Sequence, residues 1–210
     1  HEKMTPKKTN YKKEFPELYN PSRKEVEFLK VPPMKFFMVD GKGNPNTSEE
    51  YKKAIQTLYA MSFGLKMDYK KKTEGRDYVV PPLEGLWYMD DMNNWSMNNK
   101  EDWEWTMMIR IPDFVPDNEI QEAIKRVKEK KPDKVPHVKK LRVETYDEGE
   151  SAQIMHVGPY EDEAPTIEKV HNAISEIGKE FAGHHHEIYI GDPRRAKPEN
   201  LKTIIRQPYK

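Results

Sequence analysis

His184-His185-His186-Glu187-Ile188-Tyr189-Ile190-Gly191-Asp192, closed by Pro193, is the stretch whose reading decides the fold. Successive side chains of a strand point to opposite faces, so Ile188 and Ile190 share one face and Glu187 and Tyr189 the other. The isoleucines suit a core. The second face then carries a carboxylate beside a phenol, and a buried carboxylate is costly unless it is paired or has chemical work to do. Glu187 is therefore the first candidate site residue.

Reading outward, a helical pattern spans Ala164–Ala182, with Ile167, Val170, Ile174, Ile177 and Phe181 at core spacing and Gly183 placed as a C-cap. Ser151–Val157 before it and Leu201–Arg206 after the opening stretch read as strands. The second half is thus strand–helix–strand–strand. The first half has the same order: Phe36–Val39, a helix carrying Tyr51, Ile55, Leu58, Ser62 and Leu65, then Leu83–Met89 and Trp103–Ile111. Thr47 and Glu50 form a capping-box pattern ahead of that helix. Asp90–Asp102 is a polar connection. A further helix, Asp117–Lys130, joins the halves, with Asp117 as N-cap and Ile120, Ala123, Ile124 and Val127 as its apolar stripe. Arg142–Tyr146 and Ser151–Val157 read as two strands about a turn at Glu148-Gly149.

These patterns predict an α+β fold of duplicated strand–helix–strand–strand units related by a pseudo-twofold axis. The expected sheet is antiparallel, with helices on one face and a ligand groove on the other. Residues 1–30 form an N-terminal arm and 31–210 a single domain, with half-repeats at roughly 34–112 and 141–208. Ligand sites favour concave junctions of this kind.

The chain has 210 residues, with 36 basic and 36 acidic side chains. Such a balance argues against a nucleic-acid binder that works by neutralising phosphates. There is no cysteine, which removes disulfides, thiolate nucleophiles and Cys-based zinc sites. No apolar run reaches membrane-spanning length, and a cytoplasmic protein without a membrane role is the expectation. No P-loop, GxGxxG or Ser-His-Asp spacing supports nucleotide chemistry or acyl transfer.

His156-Val157-Gly158-Pro159-Tyr160 and Glu187-Ile188-Tyr189-Ile190-x-Asp192-Pro193 resemble the two signatures of the GyrI-like small-molecule-binding domain family. Val80–Trp87, Trp103–Met108 and Asp192-Pro193-Arg194-Arg195 resemble a free-standing bacterial branch of that family. The resemblance covers roughly residues 10–208 and implies a ligand groove at the pseudo-dyad. In relatives that sense drugs, a buried Glu at the Glu187 position meets cationic aromatic compounds. Other relatives inhibit DNA gyrase. The free-standing branch includes cyclopropanoid cyclohydrolases, which open the strained cyclopropane of DNA-alkylating natural products such as yatakemycin. The resemblance therefore implies a detoxifying hydrolase. Its alternatives are sequestration of cationic or planar aromatic compounds without chemistry, or a gyrase-inhibitor-like interaction.

Ring opening needs a water at the methylene and a donor at the developing phenolate. Glu187 is the candidate general base, with Tyr160 and Tyr189 as candidate donors. Trp87, Trp105 and Trp103 supply flat apolar walls, with at most two of them expected to face the groove. Met155 and Glu84 complete the candidate ligand-binding set. For each, ordinary core packing or a salt bridge is the competing reading. Only His184 and His186 of the His run share a face, and the spacing is not that of a zinc helix, so no metal and no cofactor are expected. The three histidines read as peripheral, and His156 as a hydrogen-bonded structural residue. The expected partner is a planar aromatic or cationic small molecule, and the expected state a monomer or weak homodimer.

Overall fold

The computed structural model describes residues 8–73, 76–92 and 95–210. The start of the N-terminal arm and part of the Asp90–Asp102 connection lie outside the described residues. Two short helices open the described chain, α1 (Tyr11–Glu14) and α2 (Pro16–Tyr19). Then come β1 (Glu27–Val31), β2 (Met34–Lys42), the long helix α3 (Glu49–Lys72), β3 (Leu83–Tyr88) and β4 (Glu104–Arg110). Helix α4 (Asp117–Lys130) joins the halves. The second half supplies β5 (Arg142–Tyr146), β6 (Gly149–Val157), α5 (Ala164–Glu176), β7 (His185–Tyr189) and β8 (Lys202–Pro208).

The strands form one eight-stranded antiparallel sheet in the order β1-β6-β8-β7-β3-β4-β2-β5. Its centre is the β3–β7 pair. On one side lie β7, β8 and β6, and on the other β3, β4 and β2, so the duplication inferred from the sequence is real. The outermost strands are exchanged. β1 pairs with β6 of the other half, and β5 pairs with β2. β5 and β6 are therefore not a hairpin, although Gly149 does turn the chain between them with a φ of 75°. Strand β1 falls within the stretch read as arm.

Three boundaries differ from the sequence reading for local reasons. Ser48, not Thr47, caps α3: its backbone is extended and its hydroxyl accepts from the Tyr51 amide at 3.2 Å. Asp117 is the first helical residue of α4 rather than its cap, and its carboxylate pairs with Lys35. Helix α5 stops at Glu176, because Gly178 takes a φ of 72° two residues on. Ile177 and Phe181, expected in the core, are consequently about half exposed.

The sheet has two differently covered faces. α3 packs on Phe37, Val39, Trp105, Met107 and Ile109, with α4 packed against α3, and α5 packs on Ala152, Ile154 and Ile205. The other face carries Phe36, Met38, Met108, Ile188 and Ile204 and is covered by Tyr11, Leu18 and Tyr19 of the arm. Close fitting shows at Gly41, where an added Cβ would lie 2.1 Å from the Trp105 ring.

Candidate functional site

Glu187 sits on the central strand β7, opposite Gly85 on one neighbour and Ile205 on the other. Those positions belong to the helix-bearing face. The site therefore lies beneath the seam between α3 and α5, and the other side of the sheet is taken by the arm with its short helices α1 and α2. Gly85 makes the arrangement possible. A Cβ there would meet the Trp87 indole nitrogen at 2.8 Å and the Met107 sulfur at 3.0 Å, so only glycine leaves room for the Trp87 ring beside Glu187.

The carboxylate is almost fully buried, with a relative exposure of 8%. One oxygen is 2.7 Å from His185 Nε2 and the other accepts from the Tyr189 hydroxyl at 3.2 Å. Tyr189 in turn accepts from Trp87 Nε1 at 3.0 Å. His185, Glu187 and Tyr189 alternate along one strand, so a single strand face delivers all three.

A second carboxyl completes the cluster. Glu163, immediately before α5, hydrogen-bonds Glu187. It occupies the helix N-cap, yet its side chain caps nothing and turns inward. Burial raises the Glu163 pKa far above the usual carboxyl range, and the neighbouring Glu187 charge raises it further. For Glu187, burial acts upward, but the hydrogen bonds and charge of His185, with Glu163 and Tyr189, bring the net shift downward. Like charges this close cannot both ionise, so the pair holds one proton, on Glu163. The second Glu163 oxygen is buried and has no hydrogen-bond partner among the described residues.

Aromatic rings wall the pair. Tyr51 of α3 lies 5.9 Å from Trp87 and 5.3 Å from Trp105, centroid to centroid. Tyr160 meets Tyr189 edge-on at 6.0 Å, and Trp103 meets Trp87 edge-on at 6.0 Å. Trp95 stacks on Trp103 at 4.3 Å, extending the wall into the connection before β4. Burial and the two carboxyls push Tyr160 up to about 12 and keep Tyr51 and Tyr189 above their ordinary values, so all three are protonated donors at neutral pH. At 38% exposed, Tyr160 is the part of the cluster that reaches solvent.

The structure thus brings Glu187, Tyr160, Tyr189, Trp87 and Trp103 together. Trp105 stands opposite Trp87 in the β3–β4 register and meets Tyr51 edge-on, but it is wholly buried core. Glu84 and Met155 lie on the opposite face. Glu84 is 2.7 Å from His186 Nε2, and the other ring nitrogen of His186 is 2.9 Å from Glu148. Arg206 adds a contact of 3.7 Å to Glu148. His186 is wholly buried between two carboxylates, which raise its pKa to about 9 against the opposing effect of burial. His184 stacks on Tyr88. The histidines are therefore not peripheral: His185 binds the central carboxylate, and His186 anchors a network under it. His156 is structural, held by Thr166 and the Pro159 carbonyl. Sequence reading missed Glu163 and Tyr51. Tyr51 was visible as a core-facing helix residue, and Glu163 as an acidic residue at a helix start, but neither pattern points at Glu187.

A duplicated α+β sheet with a buried carboxyl pair walled by aromatic rings defines a small-molecule-binding protein. The chain belongs to the GyrI-like small-molecule-binding domain family, whose model matches residues 24–210. It is similar to the crystal structure of an uncharacterised conserved protein from Listeria innocua, with 40% identity and a TM-score of 0.88 over 97% of this chain and all of the other. Two structures described as hydrolases from Listeria innocua cover the same shares, at 38% and 40% identity with TM-scores of 0.85 and 0.82. No curated protein sequence matches the chain. Among the described residues, no helix is long and apolar enough to cross a membrane.

Proposed function

We propose that this chain is a hydrolase for a small planar electrophile, and specifically that it adds water across a strained cyclopropane conjugated to a dienone. The observation that carries the reading is the Glu163–Glu187 carboxyl–carboxylate pair under an aromatic wall. The description of two similar Listeria innocua proteins as hydrolases is consistent with it.

In the proposed reaction Glu187 accepts a proton from water as the water oxygen bonds to the cyclopropane methylene. The bond between that methylene and the ring carbon breaks, and its electron pair flows through the dienone to give a phenolate oxygen. Tyr160 donates a hydrogen bond that stabilises that oxygen, and the proton taken up by Glu187 passes through solvent to the phenolate, which restores the Glu187 carboxylate. The sum is addition of one water. Tyr189 already donates to Glu187 and accepts from Trp87, so it orients the base. Protonated Glu163 holds the Glu187 charge in place. Trp87 and Trp103 bind the flat substrate by area and quadrupole. Strain release and rearomatisation supply the driving force, so positioning and water activation suffice.

Single-turnover product analysis in isotopically labelled water, with a cyclopropanoid substrate, tests this. The expected product is the ring-opened phenol carrying the label on its new hydroxymethyl group. Tight binding with return of unchanged substrate would instead favour sequestration of cationic or aromatic compounds. One observation favours that second reading: a buried carboxylate among rings also suits a cation.

A further inference from the structure

On the face covered by the arm, the arm and the sheet border two adjoining open depressions of about 450 and 250 Å³. They share Asn20, Met155 and Lys202, so they form one groove. Its sheet-side wall is apolar, from Met155 and Val157 of β6 together with Ile190. Its rim is cationic. Lys12 and Lys13 come from α1, Arg23 from the arm and Lys202 from β8. No carboxylate lines either depression, and none of these four cations makes an ion pair among the described residues. Some surface cations elsewhere are neutralised by ion pairs, such as Lys66 and Lys70 with Asp77, Arg126 with Asp68, and Arg142 with Asp40 and Glu144. In a chain of zero formal net charge, four unpaired cations converging from three segments on an apolar trough form a local positive field.

The trough is also anchored. Ser22 O accepts from the Met155 amide, Gln153 Nε2 donates to Glu17 O at 2.7 Å, and Arg206 donates to Leu18 O at 2.9 Å. The arm is therefore pinned as the outer wall by buried side chains of the sheet. The volume falls in the range of small-ligand sites, and Met155 is a side chain that adapts to varied apolar shapes.

We infer that this groove is a second ligand site, distinct from the Glu187 cluster, that takes an amphipathic monoanion with its apolar body on Met155, Val157 and Ile190 and its carboxylate among Lys12, Lys13, Arg23 and Lys202. The two sites select opposite charge, because one is centred on a carboxylate and the other rimmed by cations. They lie on opposite faces of the sheet, so occupation of one does not block the other.

Calorimetric titration of the full chain with dodecanoate, kept below its micelle concentration, tests the site, with the Met155 methyl resonance as a local reporter. The expected result is saturable one-to-one binding that shifts the Met155 methyl. A Lys12→Glu/Lys202→Glu double variant should weaken binding about tenfold or more, and added salt should weaken it too. Glu187→Gln should leave the affinity unchanged, which separates this site from the proposed hydrolytic one. Absence of saturable binding, an affinity indifferent to the charge reversal, an unmoved Met155 methyl, or loss of binding in Glu187→Gln would each overturn the inference. Circular dichroism confirms that the doubly exchanged chain is folded.

Discussion

The buried carboxyl of Glu163 hydrogen-bonds the carboxylate of Glu187, joining the N-cap of α5 to the central strand β7. The two arrive from different elements, and the donors His185 and Tyr189 on Glu187, with the burial of Glu163, leave the shared proton on Glu163. The bond also ties the base of the proposed reaction to the helix that roofs it.

The two carboxyls should fail differently when neutralised. Glu187→Gln removes the proton acceptor and should lower the single-turnover rate by about a hundredfold or more. Glu163→Gln keeps a neutral hydrogen-bond donor beside Glu187 and should lower it by less than about tenfold. Rates measured at saturating substrate check both, and equal losses in the two variants would contradict the separate roles. Tyr160→Phe should reduce the rate, with little change in the affinity for unreacted substrate.

Glu163 also predicts a pH effect on stability. Its folded pKa lies above the ordinary 4.5, so the folded chain keeps a proton that the unfolded chain releases. The contribution is fully present below 4.5 and is lost as pH rises towards the folded value. Glu163→Gln removes that loss. Its melting temperature should match wild type near about pH 4 and exceed it at about pH 8, read by calorimetry. A variant less stable than wild type at the higher pH would show that the carboxyl ionises without strain.

His186 predicts the opposite balance of partners. Its pKa rises from 6.5 to about 9, so its contribution is complete below 6.5 and is lost as pH rises through about 9. His186→Ala leaves Glu84 and Glu148 buried without their cation, and should destabilise the fold by about 3–5 kcal/mol at neutral pH. Urea denaturation should show a smaller loss once wild-type His186 has itself deprotonated.

Gly41→Ala tests the packing under the site. The added methyl would overlap the Trp105 ring, and that ring lies against Tyr51. Overpacking should cost about 1–3 kcal/mol and move the Tyr51 wall. The checks are urea denaturation and the tryptophan emission maximum. An unshifted spectrum at full stability would mean that Trp105 repacks freely.

Much of this was legible in the chain because it is local. Alternation along His186–Ile190 put Glu187 and Tyr189 on one face, and helical spacing named Leu58, Leu65, Ile120 and Val170 as core, all of which are buried. The repeated order of strands and helices revealed the duplication, since each unit carries its own hydrophobic period. What tertiary structure alone decided were the contacts between units. Period-two alternation says that two faces differ but not which one meets the helices, so the side on which Glu187 lies follows only from its register with Gly85 and Ile205. The exchange of β1 and β5 between halves is likewise a choice among distant partners that local propensity does not rank. The Glu163–Glu187 bond, the His186 clamp between Glu84 and Glu148, and the cationic rim of the arm's groove all join residues far apart in the chain. Their chemistry is set by mutual desolvation and charge, and these exist only once the sheet has closed.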